Sequence, residues 1–219
     1  MRDKHVLEAD SISKIFNGKT ILSDVWLQCN TGDVIGLLGR NGSGKSTLLK
    51  ILFGTLAADF CFLKIDGKKL DGVGDRLKYI SYLPQDNFIP KHFSVETAIR
   101  LTQTKDYFND DEFIKQCFGK KIRELSAGEL RYLEITLLLS NESKFVLLDE
   151  PFSGLSPILA ERISRNIKNC THKGIIVTDH QYENIIAVSN KLILMRDGKA
   201  NHIKSSRELL DYGYLPKID

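Results

Sequence analysis

Residues 34–53 read Val-Ile-Gly-Leu-Leu-Gly-Arg-Asn-Gly-Ser-Gly-Lys-Ser-Thr-Leu-Leu-Lys-Ile-Leu-Phe. An aliphatic run, Val34 to Leu38, leads into glycines at 39, 42 and 44, then Lys45, Ser46 and an apolar pattern of Leu48, Leu49, Ile51 and Leu52. A short aliphatic run reads as a buried strand, and the leucine spacing behind it reads as a helix. Gly39, Gly42 and Gly44 let the backbone wrap closely and turn its N–H groups inward. The helix N-terminus adds a field that favours an anion. Gly-x4-Gly-Lys-Ser between a strand and a helix is a phosphate cradle. The expected nucleotide-binding stretch is therefore Gly39, Arg40, Asn41, Gly42, Ser43, Gly44, Lys45, Ser46 and Thr47. Lys45 is placed to reach the β- and γ-phosphates, and the Ser46 hydroxyl to ligate Mg²⁺. The chain is expected to bind a nucleoside triphosphate.

Working outward, Phe145-Val-Leu-Leu-Asp149-Glu150-Pro151 is a second aliphatic strand, and it ends in two carboxylates. Asp149, at the strand end, is suited to hold the metal, directly or through water. Glu150 points to the other side and is suited to polarise an attacking water as general base. Gly174 to Thr178 and Lys191 to Met195 complete the buried-strand candidates. Helical spacing recurs at Leu130, Leu133, Leu137 and Leu138, and at Leu159, Ile163 and Ile167, the latter with Ser156 as N-cap and Pro157 at the first helical position. Strands alternating with helices predict an α/β protein with a largely parallel sheet.

Composition agrees with this reading. The 219 residues carry 31 Lys+Arg against 28 Asp+Glu, a net charge of +3, with 42% hydrophobic and 27% charged residues, as in a soluble globular protein of one domain. The longest stretch free of acidic and basic residues, Pro151 to Ala160, is far shorter than the ~20 residues of a spanning helix. Cys29, Cys61, Cys117 and Cys170 form no CxxC pair, which excludes a disulfide framework or zinc site and suits a reducing cytosol. The polar start, Met1 to Asp10, is no secretory signal, and so small a charge does not argue for nucleic acid. Asp86 to Glu124 is charged and helix-leaning, with Pro90 near its start and acidic and aromatic residues mixed through Asp106 to Phe113. It reads as a helical insert, at about 86–140, within a single domain spanning 1–219.

Leu125-Ser126-Ala127-Gly128-Glu129 narrows the field. It precedes the Leu130 helix, and Ser126 stands 23 positions before Asp149. Read from its residues alone, Ser126 and Glu129 form a capping box, a routine helix start. In this order and spacing the segment resembles the LSGGQ signature of ABC-type ATPases. The resemblance runs from about Val6 to Gly198. It implies a P-loop NTPase of ABC ATPase type, with a RecA-like α/β core, an antiparallel β subdomain near the N-terminus and a short helical subdomain. Gln85, in Tyr82-Leu-Pro-Gln85, matches the glutamine that senses the metal and links the nucleotide site to the helical insert. His180, in Ile176-Val-Thr-Asp-His180, matches the switch histidine that contacts the γ-phosphate. Phe16 occupies the position of the aromatic that stacks on adenine. Two copies are expected to dimerise head to tail, as a homodimer or heterodimer, with Ser126 and Gly128 binding the γ-phosphate across the interface.

Three positions depart from the family pattern. Ala127 replaces a glycine, Glu129 replaces the glutamine, and Ser156 stands where an aspartate is usual, so that it serves at least as a helix cap. The stretch between Gln85 and Leu125 is short for the family. None of these removes Lys45, Asp149, Glu150 or His180. The resemblance therefore implies an ATPase using ATP and Mg²⁺ that powers an ABC transporter. It would dock on a separately encoded transmembrane permease at the cytoplasmic face of a membrane, without direct contact to nucleic acid. The segment Asp149 to Val188 is similar to ATPases of lipopolysaccharide transport and branched-chain amino-acid uptake. The alternatives are a soluble ABC ATPase of protein or iron–sulfur cluster assembly, and a regulatory subunit that does not hydrolyse ATP.

Overall fold

Alternation of side chains along extended backbone splits the aliphatic runs between two apolar layers. The structure, a computed structural model, describes residues 4–102 and 111–215. Strand β1 (Val6–Phe16) pairs antiparallel with β2 (Lys19–Asn30) through the two-residue turn Asn17-Gly18, both at positive φ, the geometry a tight hairpin requires. This turn leaves Phe16 at the hairpin tip. After β3 (Val34–Leu38) and α1 (Lys45–Phe53), β4 (Phe60–Ile65) and β5 (Lys68–Lys69) complete a four-stranded antiparallel sheet of order β2-β1-β4-β5.

The chain then passes through α2 (Val73–Leu77), β6 (Ile80–Leu83) and α3 (Val95–Leu101), with α3 capped by Ser94. Next come α4 (Glu112–Lys115), a 3-10 turn at Ile122–Glu124, and α5 (Ala127–Ser140). Of the acidic and aromatic stretch Asp106 to Phe113, residues 106–110 lie outside the described residues. The remaining elements are β7 (Phe145–Asp149), α6 (Pro157–Asn169), β8 (Gly174–Thr178), α7 (Tyr182–Val188), β9 (Lys191–Arg196), β10 (Lys199–Ile203) and α8 (Ser206–Asp211).

The second sheet has six strands in the order β10-β9-β3-β8-β7-β6, parallel except for the β9–β10 hairpin at its edge. Every residue of β3, β7 and β8 is buried, as strands covered on both faces require. Val34, Leu38, Val146 and Leu148 face the layer of α5, α6 and α7. Ile35, Leu37, Phe145 and Leu147 face α1 and the antiparallel sheet. Leu159, Ile163 and Ile167 form the buried stripe of α6. Because β3, β6, β7 and β8 are parallel, the loops that leave their C-terminal ends gather along one edge, where ligands bind in such sheets. All four cysteines are free thiols, and burial pushes Cys170 up to about 11. Among the described residues no helix is long and apolar enough to cross a membrane.

Candidate active site

The loop from β3 to α1 is shaped by its glycines. Gly39 has φ +148°, and a Cβ there would lie 2.5 Å from Ser43 Oγ and 2.6 Å from the Met195 carbonyl oxygen. Gly44, the residue before α1, has φ +97°, and a Cβ would lie 2.8 Å from Leu22 Cδ2. Both the conformation and the space therefore exclude a side chain. The Lys45 ammonium folds back over the loop and donates to the carbonyl oxygens of Gly39 (2.6 Å) and Arg40 (3.2 Å). Burial lowers its pKa, against the carboxylates of Asp149 and Glu150.

A cavity of about 470 Å³ opens over this loop, lined by Phe16, Ile21, residues 41–47, Gln85, Glu150 and His180. Each arrives from a different part of the chain. Phe16 comes from the β1–β2 hairpin tip, Gln85 from the end of β6, Glu150 from the end of β7 and His180 from the end of β8.

Asp149 is fully buried at the last position of β7. Its Oδ1 accepts from Ser46 Oγ at 3.0 Å, and its Oδ2 accepts from Tyr82 Oη at 3.0 Å. Burial pushes the Asp149 carboxyl up despite these two donors, so a cation nearby would favour its charged form. A carboxylate beside a hydroxyl, with room for phosphate and water oxygens, is the hard donor set that suits Mg²⁺.

Glu150 has φ +54°, a left-handed conformation that is costly for any residue with a Cβ. Its N–H donates to the Thr178 carbonyl oxygen at 2.8 Å. The turn aims the side chain at the cavity, where Oε1 accepts from Gln85 Nε2 at 2.6 Å and lies 2.8 Å from His180 Nε2. Gln85 Nε2 also lies 3.4 Å from Ser46 Oγ.

Ser126 and Gly128 do not line this cavity. Ser126 caps α5 in a reciprocal box: its Oγ accepts from the Glu129 N–H (3.2 Å), and Glu129 Oε2 accepts from the Ser126 N–H (2.7 Å). The Ser126 N–H holds the Glu129 carboxyl below its usual range, opposed by partial burial and assisted by Lys120. Ala127 is the first residue of α5, so its methyl meets no backbone constraint there. A Cβ at Gly128 would lie 3.0 Å from Leu159 Cδ1 on α6. Ser156 caps α6, its Oγ accepting from the Leu159 N–H at 3.4 Å.

Sequence reasoning missed three supporting residues. Buried Asp179 accepts from the Phe152 N–H (2.9 Å) and the Gln181 N–H (3.1 Å), joining the segments that follow β7 and β8. Arg131 and Glu134 are buried within α5 and reach the ends of β6 and β7. The available signal was two opposite charges three positions apart inside the mostly apolar stretch Leu130 to Leu139.

Comparison with known proteins agrees with this geometry. The family model described as ABC transporter matches residues 22–153, more than half of the chain. The lipopolysaccharide export system ATP-binding protein LptB of Escherichia coli (strain K12) is 30% identical over 97% of this chain and 95% of its own length. The galactose/methyl galactoside import ATP-binding protein MglA of Fusobacterium nucleatum is 32% identical over 90% of this chain and 43% of its own. A solved structure of the ATP-binding subunit of an ABC transporter superposes with a TM-score of 0.81 at 20% identity, covering 95% of this chain and 94% of that one, which establishes the shared fold. With a glycine-shaped loop, a capped helix start at Ser126 and a buried strand-end aspartate in this order, the chain belongs to the ABC transporter family, as an ATP-binding subunit that hydrolyses ATP.

Proposed function

We propose that ATP lies in the cavity over residues 39–47, with its base against Phe16 and its phosphates in the loop of N–H groups and Lys45. Two features support this placement: the loop's shape, which leaves no room for a Cβ at Gly39 or Gly44, and the exposed Phe16 ring on the same cavity. Ser46 and Asp149 would hold Mg²⁺, with Gln85 beside them. When bound, the ion supplies neutralisation of charge on the β- and γ-phosphate oxygens.

Glu150 is the general base for the attacking water. The observation that carries this role is the convergence of Gln85 Nε2 and His180 Nε2 on its Oε1, at 2.6 and 2.8 Å, at the mouth of the cavity. Gln85 and His180 orient the carboxylate, and His180 stands where it can meet the γ-phosphate. Ser126 and Gly128, on a capped helix start away from their own chain's cavity, serve the nucleotide of a second nucleotide-binding subunit in a head-to-tail dimer. ATP binding closes that dimer, and hydrolysis reopens it. The motion drives a separately encoded transmembrane permease, with this chain on the cytoplasmic face. The helical segment at about 86–140 is the part that faces the permease.

The deciding experiment uses Glu150→Gln. The variant is expected to bind MgATP with unchanged affinity, to lose turnover and to accumulate as an ATP-dependent dimer in sizing chromatography. Wild-type turnover would remove Glu150 from the base role. Purification of the trapped form from native membranes is expected to bring a multi-span protein with it, and purely soluble partners would overturn the permease reading.

A further inference from the structure

Arg131 and Glu134 lie in the second turn of α5, at 5% and 0% exposure, and neither touches the cavity over the phosphate loop. Arg131 Nη1 donates to the Pro84 carbonyl oxygen at 2.7 Å. Its Nη2 donates to the carbonyl oxygens of Asp149 at 2.7 Å and Glu150 at 3.0 Å. Glu134 Oε1 accepts from the N–H of Phe88 at 2.7 Å and of Ile89 at 3.4 Å, while its Oε2 lies 3.7 Å from Arg131 Nη1. Among the described residues Oε2 has no hydrogen-bond partner, and the guanidinium is the cation placed beside it.

These contacts follow a pattern. The segment around Gln85 is held on both sides, at the Pro84 carbonyl and at the Phe88 and Ile89 amides, by side chains one helical turn apart on the signature-bearing helix. The same guanidinium holds the carbonyls of Asp149 and Glu150. On the cavity side, Gln85 Nε2 bonds Glu150 Oε1. Two segments are thus joined twice, by side chains facing the nucleotide and by Arg131 behind them. The left-handed Glu150 backbone, φ +54°, is pinned on one side by the Thr178 carbonyl and on the other by Arg131. The rigid planar fork directs donors from two separate nitrogens at these three carbonyls, whereas a lysine would bring its donors from one point on a flexible stem.

We propose that Arg131 and Glu134 are a positioning pair: they set the Glu150 backbone according to the place of the Pro84–Ile89 segment, and so couple that segment to hydrolysis. The proposal rests on Glu150 being the base.

The test measures kcat and the Kd for MgATP of the full chain carrying Arg131→Lys, Glu134→Gln or Glu150→Gln, beside the wild type. Arg131→Lys is expected to lower kcat about tenfold or more while Kd stays within about threefold, because the hydrogen bonds of Arg131 go to Pro84, Asp149 and Glu150 and not to the loop 39–47. A kcat within about twofold of the wild type, with Glu150→Gln inactive, overturns the pairing alone. A parallel loss of kcat and ATP affinity overturns it too, since that is general distortion. Wild-type turnover by Glu150→Gln instead overturns the base assignment on which the pairing rests. Should Arg131→Lys fail to fold, Glu134→Gln decides. It keeps an acceptor for both amides and removes the charge opposite Arg131. The expected result is a kcat lowered about threefold at unchanged Kd, with faster amide exchange at Phe88 and Ile89. Unchanged kcat and exchange would overturn the proposal.

Discussion

Glu150 Oε1 lies 2.8 Å from His180 Nε2, although the two residues follow neighbouring parallel strands and stand 30 positions apart in the chain. The register of β7 against β8 sets Asp149 opposite Thr178, and the Glu150 N–H then bonds the Thr178 carbonyl. The distance between Glu150 and His180 is therefore set by the sheet. His180→Ala is expected to reduce kcat by about 10²-fold or more with ATP binding retained, as measured by steady-state turnover and equilibrium binding. Retention of full turnover would show that Gln85 suffices to orient Glu150.

Lys45 is the buried cation of the phosphate loop, and in this structure it occupies the carbonyls of Gly39 and Arg40. On the proposed placement of ATP, its replacement by alanine would remove a charge-assisted contact to phosphate. Lys45→Ala is expected to weaken MgATP binding by at least about tenfold in a titration. Unchanged affinity would contradict the phosphate-cradle reading.

Phe16 is held at a hairpin tip and is 41% exposed, so its removal does not open a core cavity. Base-on-aromatic stacking is worth about 1–3 kcal/mol. Phe16→Ala is expected to weaken ATP by a matching factor and to leave inorganic tripolyphosphate binding unchanged. An equal loss for both ligands would place the ring away from the base.

Ser156 caps α6 through its Oγ, and aspartate is an equally good N-cap. Ser156→Asp is therefore expected to leave the thermal midpoint unchanged and to raise turnover or leave it unaltered. A sharp fall in kcat would assign the serine hydroxyl a role of its own.

The Glu129 carboxylate sits below its usual pKa, chiefly because it accepts the Ser126 N–H. A folded-state pKa below the unfolded value of about 4.3 means that the contribution is complete above that value. It is lost as pH falls through the folded pKa. Glu129→Gln keeps the reciprocal cap and does not titrate. The stability difference between wild type and variant is expected to be constant from pH 7 to about 5 and to turn against the wild type at lower pH. Denaturant unfolding at each pH checks this, and a flat difference down to pH 3 would deny the carboxylate its bond.

The strands at Val34–Leu38, Phe145–Asp149 and Gly174–Thr178 were legible because strands buried on both faces are largely apolar, and Lys191–Arg196 because its buried centre is aliphatic. Ser126 and Ser156 were legible as caps because a helix start leaves N–H groups that a hydroxyl can satisfy. The phosphate loop was legible because its chemistry is backbone chemistry, written in glycine positions. Short-range demands of this kind repeat wherever the local structure does, so sequence alone carries them.

Arg131, Glu134 and Asp179 were not legible in that way. Their partners are main-chain groups of segments distant in the chain: the Pro84, Asp149 and Glu150 carbonyls, the Phe88 and Ile89 amides, and the Phe152 N–H. A main-chain carbonyl or amide looks alike at every residue, so no pattern of side chains announces which one a buried charge will meet. The sequence by itself determined the α/β class, the phosphate cradle, the strand-end carboxylates and the helix caps. Only the tertiary structure decided that Gln85 and His180 meet on one oxygen of Glu150, that Glu150 takes a left-handed turn to reach them, and that Arg131 holds this turn from behind. Those contacts depend on strand order and register, which arise when distant segments pack against one another.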